Sequence, residues 1–274
     1  MRLVRRDAQK KINLPVLTRP EHLNWPQSPL KLVDRYKTIR IIGKGQYGTV
    51  LLVKDRSTKA KLAVKRYLAK KKEELSVEQE LLVFLKIQHS EPQHHPNVVR
   101  YISSFCARPN CMDDDNRCLV IEYVKGCSLQ DLLESLRIPL LARKVRNRIL
   151  KSAARGLSFL HSKGVAHRDI KPANIVLRKT KRKDVFDAVL VDLGLACFEG
   201  LHVGAHAEEQ LLAGTIDYMS PEARRPSTRL TMRVWMQSDL YALGIVGRQV
   251  NADSAKYTPL LHKSSKKRTL EHLL

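Results

Sequence analysis

The stretch VAHRDIKPANIVL, residues 165–177, places charged and amide side chains between two apolar flanks. The polar part contains Arg168, Asp169, Lys171 and Asn174, whereas both flanks consist of residues suited to burial. We expect the flanks to form two short strands that hold the polar residues between them. The stretch is therefore the first candidate for a functional site.

The composition is that of a globular protein. The chain has 274 residues, of which 43% are hydrophobic and 28% are charged, enough for a sizeable core or two moderate lobes. No apolar run approaches the roughly 20 residues that a helix needs to cross a bilayer, so we expect no transmembrane segment. We expect an intracellular protein of the cytoplasm, the nucleus or both, and a monomer.

Charge and cysteine content indicate which partners and sites to expect. The chain has 50 Lys and Arg residues against 27 Asp and Glu residues, and its net charge of +23 exceeds what solubility usually needs. Such a surface should attract nucleic acid or another polyanion. The five cysteines lack the paired spacing of a disulfide framework or a zinc site, so we expect reduced thiols: Cys106, Cys111, Cys118, Cys127 and Cys197.

The chain divides into an extension and two parts whose hydrophobic patterns differ. Residues 1–35 are basic, contain several prolines and lack a steady hydrophobic period, which indicates an extension. Residues 36–125 are rich in strand-like runs, whereas residues 126–274 become mainly helical. In the second part, an amphipathic helix is predicted to end near Gly164.

The first part should be a mostly β lobe with one helix. Three strand-like runs between Tyr36 and Leu68 predict an antiparallel meander. Apolar spacing then predicts a helix over 76–88, with Ser76 as its N-cap. Two further strands are predicted over 97–105 and 117–124.

A glycine-rich turn lies in this lobe. GKGQYGTV, residues 43–50, follows the pattern G-x-G-x-x-G-x-V with Gly43, Gly45 and Gly48 as its glycines. The turn joins two strands rather than a strand and a helix, which argues against a dinucleotide-binding fold and for a flexible flap over phosphates. Three glycines could also serve the backbone geometry of a turn alone.

A lysine lies on the strand paired with this turn. Lys65 ends the apolar run AVK, where its ammonium group can reach phosphate oxygens under the flap. Such a lysine needs a carboxylate partner, and Glu80 is best placed because an apolar series begins directly after it at Leu81. Glu78 is the alternative.

Together these motifs resemble those of eukaryotic-type serine/threonine protein kinases, in the order in which that family has them. HRDIKPAN resembles the catalytic loop, DLG at 192–194 the metal-binding turn, and GTIDYMSPE at 214–222 the end of the activation segment. SDLYALGIV at 238–246 resembles the central helix that anchors the catalytic loop. The resemblance implies an α+β, bilobal protein-kinase-like fold, with an antiparallel β N-lobe (36–125) that has one main helix and a mostly helical, shortened C-lobe (126–274).

The resemblance also implies catalytic roles. Asp169 would accept or orient the proton of the substrate hydroxyl, and Lys171 would stabilise the γ-phosphate. Lys65 and Glu80 would complete the catalytic set. His167 and Arg168 would support the loop structurally.

The implied cofactors are ATP and Mg²⁺. Asn174 and Asp192 would bind the Mg²⁺ ions, because hard oxygen ligands suit that cation. Adenine would lie between apolar side chains and accept hydrogen bonds from, or donate them to, the backbone of the segment after Ile121. The residues expected around the nucleotide are Gly43, Gly45, Gly48, Val50, Ala63, Lys65, Glu122, Val124 and Val176.

Details of these motifs indicate the substrate class. Lys171 and Thr215 resemble the residues of kinases that act on serine and threonine rather than on tyrosine. Ala173 stands where kinases that prefer basic residues upstream of the target often have an acid. We therefore expect protein substrates with acidic or neutral residues flanking a target Ser or Thr.

The sequence departs from the family pattern at two places. Leu193 replaces the more usual Phe of the metal-binding turn, and we expect it to fill the same internal space. After Val246 the chain reaches KKRTLEHLL within few residues, where Arg268 is placed to pair with Glu222. A C-lobe shortened in this way would suit a viral kinase.

The activation segment has an unusual composition. Between Gly194 and Thr215 the chain has no Ser, Thr or Tyr, and Leu211 occupies the position of the usual phosphosite. We therefore expect activity that is independent of activation-loop phosphorylation, with Glu208 and Glu209 as partial substitutes for the phosphate.

The preferred function is transfer of the γ-phosphate of Mg-ATP to protein Ser or Thr hydroxyls. The alternative is a catalytically weak kinase-like binding protein that engages nucleic acid or acidic partners through its basic surface. The basic run KTKRK, residues 179–183, is either a solvated loop or a patch for nuclear localisation or polyanion binding.

Overall fold

The computed structural model describes most of the chain in nine ranges. These are residues 27–28, 32–45, 48–67, 74–107, 116–135, 141–181, 185–201, 214–224 and 231–252. Several residues named above lie outside these ranges, namely Cys111, Arg182, Lys183, Glu208, Glu209, Leu211 and Arg268.

The described ranges contain short strands and a few longer helices. The strands are β1 (Gln27–Ser28), β2 (Tyr36–Gly45), β3 (Gly48–Asp55), β4 (Lys61–Arg66), β5 (Tyr101–Ala107), β6 (Asn116–Glu122), β7 (Gly126–Ser128), β8 (Val165–Ala166), β9 (Ile175–Lys179), β10 (Phe186–Leu190) and β11 (Cys197–Phe198). The helices are α1 (Leu32–Arg35), α2 (Glu74–Gln88), α3 (Leu129–Glu134), α4 (Arg143–Ser162) and α5 (Met232–Asn251). The predicted two-lobed α+β fold is confirmed.

One twisted sheet forms the first lobe. Its strand order is β1-β5-β6-β4-β3-β2, and the predicted antiparallel meander of β2, β3 and β4 is present. At the far edge, β1 pairs in parallel with β5, so that Gln27 lies opposite Cys106. A two-residue strand of the predicted extension therefore belongs to this sheet, which is antiparallel elsewhere.

Helix α2 packs its apolar face into the core, as its spacing predicts. Val77, Leu81 and Phe84 are buried there. The helix begins at Glu74, so the prediction of Ser76 as N-cap is wrong. An N-cap residue precedes the first helical residue, whereas Ser76 lies inside the first turn.

The strand predicted over 97–105 begins only at Tyr101. Before it, Val98 forms an isolated bridge to Leu190 of the second lobe, and the Val99 N–H donates to the Leu190 carbonyl at 2.9 Å. These residues serve as a tie between the lobes, which is why they do not join the first sheet. The strand predicted over 117–124 likewise ends early, at Glu122.

The second lobe is built on α4 and α5. Each helix buries one face, with Leu157 and Leu160 of α4 and Val246 and Val250 of α5 almost fully enclosed. Two small sheets lie beside them, one in the order β10-β9-β7 and one formed by β11 and β8. No helix within the described ranges is long and apolar enough to cross a membrane.

A continuous hydrophobic core joins the two lobes. The same cluster contains Leu193 together with Phe84 of α2, Leu160 of α4 and Val246 of α5. Burial of one such side chain contributes roughly 1.5–3 kcal/mol. The cleft between the lobes is therefore lined by elements that share one core, and Leu193 fills its internal position as expected.

Gly156 lets α4 approach the tie between the lobes. A Cβ atom at this position would lie 2.4 Å from the carbonyl oxygen of Asn97, which belongs to the backbone and cannot swing away. We predict that Gly156→Ala lowers the free energy of unfolding by about 1–3 kcal/mol, as overpacking does. Thermal or urea unfolding measures the change.

Gly244 provides a matched control in α5. A Cβ atom there meets nothing within 4 Å. Gly244→Ala should leave stability unchanged or raise it by up to about 1 kcal/mol, because alanine favours the helix. Equal effects of the two substitutions would contradict the proposed close approach of α4.

Candidate active site

Lys65 and Glu80 form a buried ion pair between β4 and α2. The Nζ atom of Lys65 lies 2.7 Å from Oε2 of Glu80, and both side chains are buried. Glu78, the alternative partner, instead pairs with Arg117 at 2.7 Å. The pair that the sequence favours is thus the one present in the structure.

Tyr67 is a third member of this group that sequence reasoning missed. Its hydroxyl donates to the same Oε2 of Glu80, and its ring centre lies 5.3 Å from Lys65 Nζ. Burial and the nearby Glu80 carboxylate raise the pKa of Tyr67 well above its usual value, so the hydroxyl stays protonated as a donor. The two-residue spacing from Lys65 could have revealed it, since residues i and i+2 of extended chain face the same side.

Asp192 meets Lys65 from the other lobe. Its Oδ1 atom lies 2.7 Å from Lys65 Nζ, and its backbone has a φ of 63°. Burial by itself would lower the pKa of Lys65, but the Glu80 and Asp192 carboxylates and the Tyr67 hydroxyl raise it well above its usual value. The Lys65 ammonium in turn lowers the pKa of Asp192. Lys65 and Asp192 are therefore both charged at neutral pH.

Gly194 leaves room for this cluster. A Cβ atom at Gly194 would lie 3.2 Å from Asp192 Oδ1, 3.4 Å from Lys65 Nζ and 3.6 Å from Glu80 Oε2. The contact with Asp192 would be tight, whereas the other two distances are those of ordinary van der Waals contacts. The glycine of the DLG motif thus has a steric reason.

Asp169 lies in the loop between β8 and β9 with both carboxylate oxygens bonded. Oδ1 accepts from the Thr215 amide at 3.1 Å and from the Thr215 hydroxyl at 2.8 Å. Oδ2 accepts from the Asn174 amide nitrogen at 2.8 Å and lies 2.7 Å from Lys171 Nζ. Lys171 Nζ also donates to the Thr215 hydroxyl at 2.8 Å, so Asp169, Lys171 and Thr215 form a closed triangle.

The loop is anchored on α5 by Asp239, whose carboxylate is 2% exposed. Its two oxygens accept from the backbone N–H groups of His167 and Arg168, both at 2.8 Å. Oδ2 also lies 2.9 Å from Nε2 of His161. The motif SDLYALGIV predicts an anchoring helix but does not by itself identify Asp239 as the anchoring residue. The presence of an acid in this mainly apolar run is a signal that could have identified it.

Two backbone contacts join the Asp169 group to the Asp192 group. The Val191 N–H donates to the Asn174 carbonyl at 3.0 Å, and Nε2 of His167 lies 3.2 Å from the Val191 carbonyl oxygen. Further along, the Gln79 amide donates to the Ala196 carbonyl at 2.8 Å, and β11 pairs with β8. The beginning of the activation segment is thus tied to α2 and to the loop.

Three of the expected nucleotide residues lie on strands of the two lobes. Val50 lies opposite Lys65 in the pairing of β3 with β4, Ala63 is buried on β4, and Val176 lies on β9. The Glu122 N–H donates to the Arg100 carbonyl. The backbone group of Glu122 that could bind adenine is therefore its carbonyl.

The remaining nucleotide candidates are Val124 and the glycine hairpin. Val124 is buried just after β6. Gly43 and Gly45 belong to β2, where Gly45 pairs with Gly48 of β3, and residues 46–47 at the tip lie outside the described ranges. At Gly48, with a φ of 141°, a Cβ atom would lie 2.1 Å from the Arg66 carbonyl oxygen.

Cys127 is buried on β7. Burial, with a smaller contribution from the Asp131 carboxylate, raises the pKa of its thiol. Because the thiolate is the reactive form, this cysteine should be a poor nucleophile. Cys118 is further shielded, since burial raises its pKa to about 12.

Asn174 and Asp192 fit the requirements of Mg²⁺. The Asn174 amide nitrogen donates to both the carbonyl and Oδ2 of Asp169, so its side-chain oxygen is directed away from them. Asp192 is partly open to solvent. Among the described residues, no group of three or more His, Cys, Asp or Glu side chains could hold a metal by itself. Mg²⁺ commonly takes one or two protein ligands and completes its shell with water and phosphate oxygens.

A family model described as the protein kinase domain matches residues 36–272. The chain belongs to the protein kinase family. The matched range contains Asp169, Asp192 and the ion pair of Lys65 with Glu80.

Three curated relatives of this chain have serine/threonine kinase names. A serine/threonine-protein kinase of Drosophila persimilis is 32% identical over 224 residues, which are 80% of this chain and 26% of that protein. Serine/threonine-protein kinase pkn2 of Myxococcus xanthus is 31% identical over 228 residues, 81% of this chain and 25% of that protein. Serine/threonine-protein kinase PknD of Chlamydia trachomatis is 29% identical over 254 residues, 78% of this chain and 24% of that protein. The kinase thus spans about a quarter of the length of these relatives.

The hydroxyl of Tyr67 should stabilise the kinase through Glu80. Tyr67→Phe keeps the buried ring and removes one hydrogen bond to a carboxylate, so we predict a loss of about 1.5–3 kcal/mol in the free energy of unfolding. Urea unfolding followed by circular dichroism measures it.

Tyr101→Phe is the matched control for this measurement. The Tyr101 hydroxyl donates to the neutral Ser104 hydroxyl at 2.8 Å in a less buried position. Its removal should cost only about 0.5–1.5 kcal/mol. A loss from Tyr101→Phe as large as that from Tyr67→Phe would show that Glu80 does not depend on the tyrosine.

Proposed function

We propose that the chain is a protein kinase that transfers the γ-phosphate of ATP to Ser or Thr hydroxyls of proteins. The observation that carries the proposal is the closed triangle of Asp169, Lys171 and Thr215. This triangle lies beside Asn174, whose carbonyl accepts from the Val191 N–H next to Asp192. Phosphoryl transfer needs an acceptor for the hydroxyl proton and cations around the phosphates, and both are present at this place.

The chain's own residues position the reactants. With ATP and Mg²⁺ bound, the nucleotide supplies the transferable phosphoryl group and the metal neutralises its charge. Asn174 and Asp192 would hold the metal, and Lys65, fixed by Glu80, would bind phosphate oxygens. Glu80 would hold the Lys65 ammonium under the glycine hairpin. The burial of Glu80, which is 1% exposed, is consistent with this role.

Asp169 and Lys171 act on the substrate side. Asp169 is held by hydrogen bonds from Thr215 and Asn174, so its carboxylate has a fixed direction before substrate arrives. It would orient the hydroxyl and take its proton. Lys171 would neutralise the phosphoryl oxygens as their charge moves toward the acceptor. The protein contributes placement and charge rather than covalent chemistry.

Three substitutions test the proposed chemistry. Asp169→Ala, Lys65→Met and Asp192→Ala should each lower phosphate transfer by about a thousandfold or more while the chain stays folded, because each removes a group that contacts the reactants. Asp192→Ala should also weaken binding of Mg-ATP. The measurement is transfer from labelled ATP, with Mg²⁺, to a mixed pool of proteins.

Asp187→Ala is the control for loss of a carboxylate. Asp187 lies on β10 and pairs with Arg148 at the surface, at 2.8 Å, away from the cleft. It should transfer phosphate at the wild-type rate. Wild-type activity in all three cleft variants would refute the proposed roles of these residues, and a wild-type chain without activity would leave a kinase-like binding protein.

The proposed hydroxyl class rests on Lys171 and Thr215, which resemble the residues of kinases that act on Ser and Thr rather than on Tyr. The two residues are hydrogen-bonded to each other, and Thr215 also donates to Asp169. The names of the three relatives support the same assignment.

Flanking preference is a further part of the proposal. Ala173 is exposed between Pro172 and Asn174, and it offers no carboxylate to a basic substrate residue. With the net charge of +23, this favours acidic or neutral flanks. A positional peptide array should therefore select Asp, Glu or neutral residues around the target, whereas selection of Arg upstream would contradict the proposal.

Activity should not require phosphate on the activation segment. The absence of Ser, Thr and Tyr between Gly194 and Thr215 leaves no hydroxyl to modify in that part of the sequence. The segment begins with ties that need no phosphate, from Gln79 to Ala196 and from β11 to β8. Glu208 and Glu209 remain proposed partners for Arg168.

A further inference from the structure

The catalytic loop rests on two residues of α5 that are one helical turn apart. Asp239 accepts the backbone N–H groups of His167 and Arg168. Four residues earlier, the ring of Trp235 lies under the side chain of Arg168, with 4.2 Å between the guanidinium carbon and the ring centre. The backbone and the side chain of the loop are thus held from the same face of one helix.

Trp235 belongs to a small apolar cluster that joins three segments. The cluster contains Ala166 of β8, Met219 and Ala223 from the end of the activation segment, and Trp235 itself, which is 5% exposed. Cys197, Met232 and Met236 pack against it. The Trp235 ring that contacts Arg168 therefore shares a cluster with Met219 and Ala223, at the end of the activation segment.

The end of the activation segment is fitted closely to the loop. A Cβ atom at Gly214, whose φ is 132°, would lie 2.7 Å from the carbonyl oxygen of Arg168. The Ser220 N–H donates to the Ser238 hydroxyl of α5 at 3.1 Å. Arg168 consequently lies where the loop, the segment and α5 meet, and its backbone is in the left-handed region with a φ of 66°. Such a conformation persists only when its surroundings hold it.

We propose that Trp235 is a positioning residue, which holds Arg168 by a cation–π contact and thereby keeps the catalytic loop and the end of the activation segment in register without phosphate. The inference rests on the proposed function and names how that site is regulated. A guanidinium over an indole face is attracted by the ring quadrupole, and this attraction is strongest for Trp among the aromatic residues. The contact is part of the folded chain, so the active arrangement is permanent.

The test compares two replacements of Trp235. Trp235→Met removes the ring but suits a cluster that already contains three methionines, and Trp235→Phe keeps a smaller ring. We expect Trp235→Met to lower kcat about tenfold with KM for ATP nearly unchanged, and Trp235→Phe to recover most of the rate. Phosphatase treatment should leave the wild-type rate unchanged.

Tyr241→Met is the matched control. It makes the same kind of change on the exposed face of α5, where Tyr241 is 43% exposed. This variant should keep the wild-type kcat. If Trp235→Met and Tyr241→Met lower kcat equally, the substitutions act by damaging the helix, and the inference is overturned.

Hydrogen exchange gives a readout that does not depend on activity. Amides of residues 165–171 should exchange faster in Trp235→Met and in Arg168→Gln than in the wild type, and not in Tyr241→Met. If Trp235→Met does not fold, Arg168→Gln decides, because it keeps the ring and removes the cation. Unchanged exchange in Arg168→Gln would overturn the inference.

The outcomes separate this inference from the proposed function. A wild-type chain that transfers no phosphate refutes the kinase activity, while exchange of residues 165–171 still shows whether Trp235 holds the loop. A wild-type kcat in Trp235→Met, or a wild-type rate that falls after phosphatase treatment, overturns the inference and leaves the kinase activity standing.

Discussion

The buried carboxylate of Asp239 is the constraint on which the catalytic cleft depends. A buried ion without partners is costly, and removing one partner of a buried charged pair typically costs about 3–5 kcal/mol. Asp239 meets this requirement with the N–H groups of His167 and Arg168 and with the ring of His161. In the conformation that satisfies the carboxylate, Arg168 lies in the left-handed region. The helix thus dictates the shape of the loop that carries Asp169.

From this base, a continuous series of polar contacts crosses the cleft. His167 and Asn174 contact the backbone of Val191, Asp192 follows, and Lys65 then links Asp192 to Glu80 of α2. Its last two steps, from Asp192 to Lys65 and from Lys65 to Glu80, place a charge opposite its partner. Preorganised charges of this kind need no rearrangement during reaction, which is how electrostatic catalysis gains most of its effect. Beneath the series, one hydrophobic cluster contains residues of both lobes.

Motifs made the central part of this arrangement predictable. HRDIKPAN, DLG and the glycine turn each require particular residues at fixed spacing, and the Lys65–Glu80 pair followed from the period of α2. Trp235 was missed because an aromatic residue in an apolar run is indistinguishable from ordinary core. Tyr67 and Asp239 had weak signals, namely the two-residue spacing from Lys65 and an acid within an apolar run. The predictions of Ser76 as N-cap and of a strand beginning at residue 97 were wrong because other contacts override the local pattern. Helix α2 extends back to Glu74, and Val98 and Val99 contact Leu190 instead of the first sheet. Cellular location, monomeric state and attraction to polyanions follow from composition alone and stay predictions.

The pre-steady-state time course of transfer by unmodified protein tests most directly whether the cleft is preassembled. The chain, shown by intact mass to carry no phosphate, is mixed with Mg-ATP and an excess of a Ser-containing acidic peptide, and peptide phosphate is followed from the first turnover. We expect transfer to begin without a lag, at the rate that the protein shows after prolonged incubation with Mg-ATP. A lag that ends only when the chain itself has gained phosphate would contradict the account.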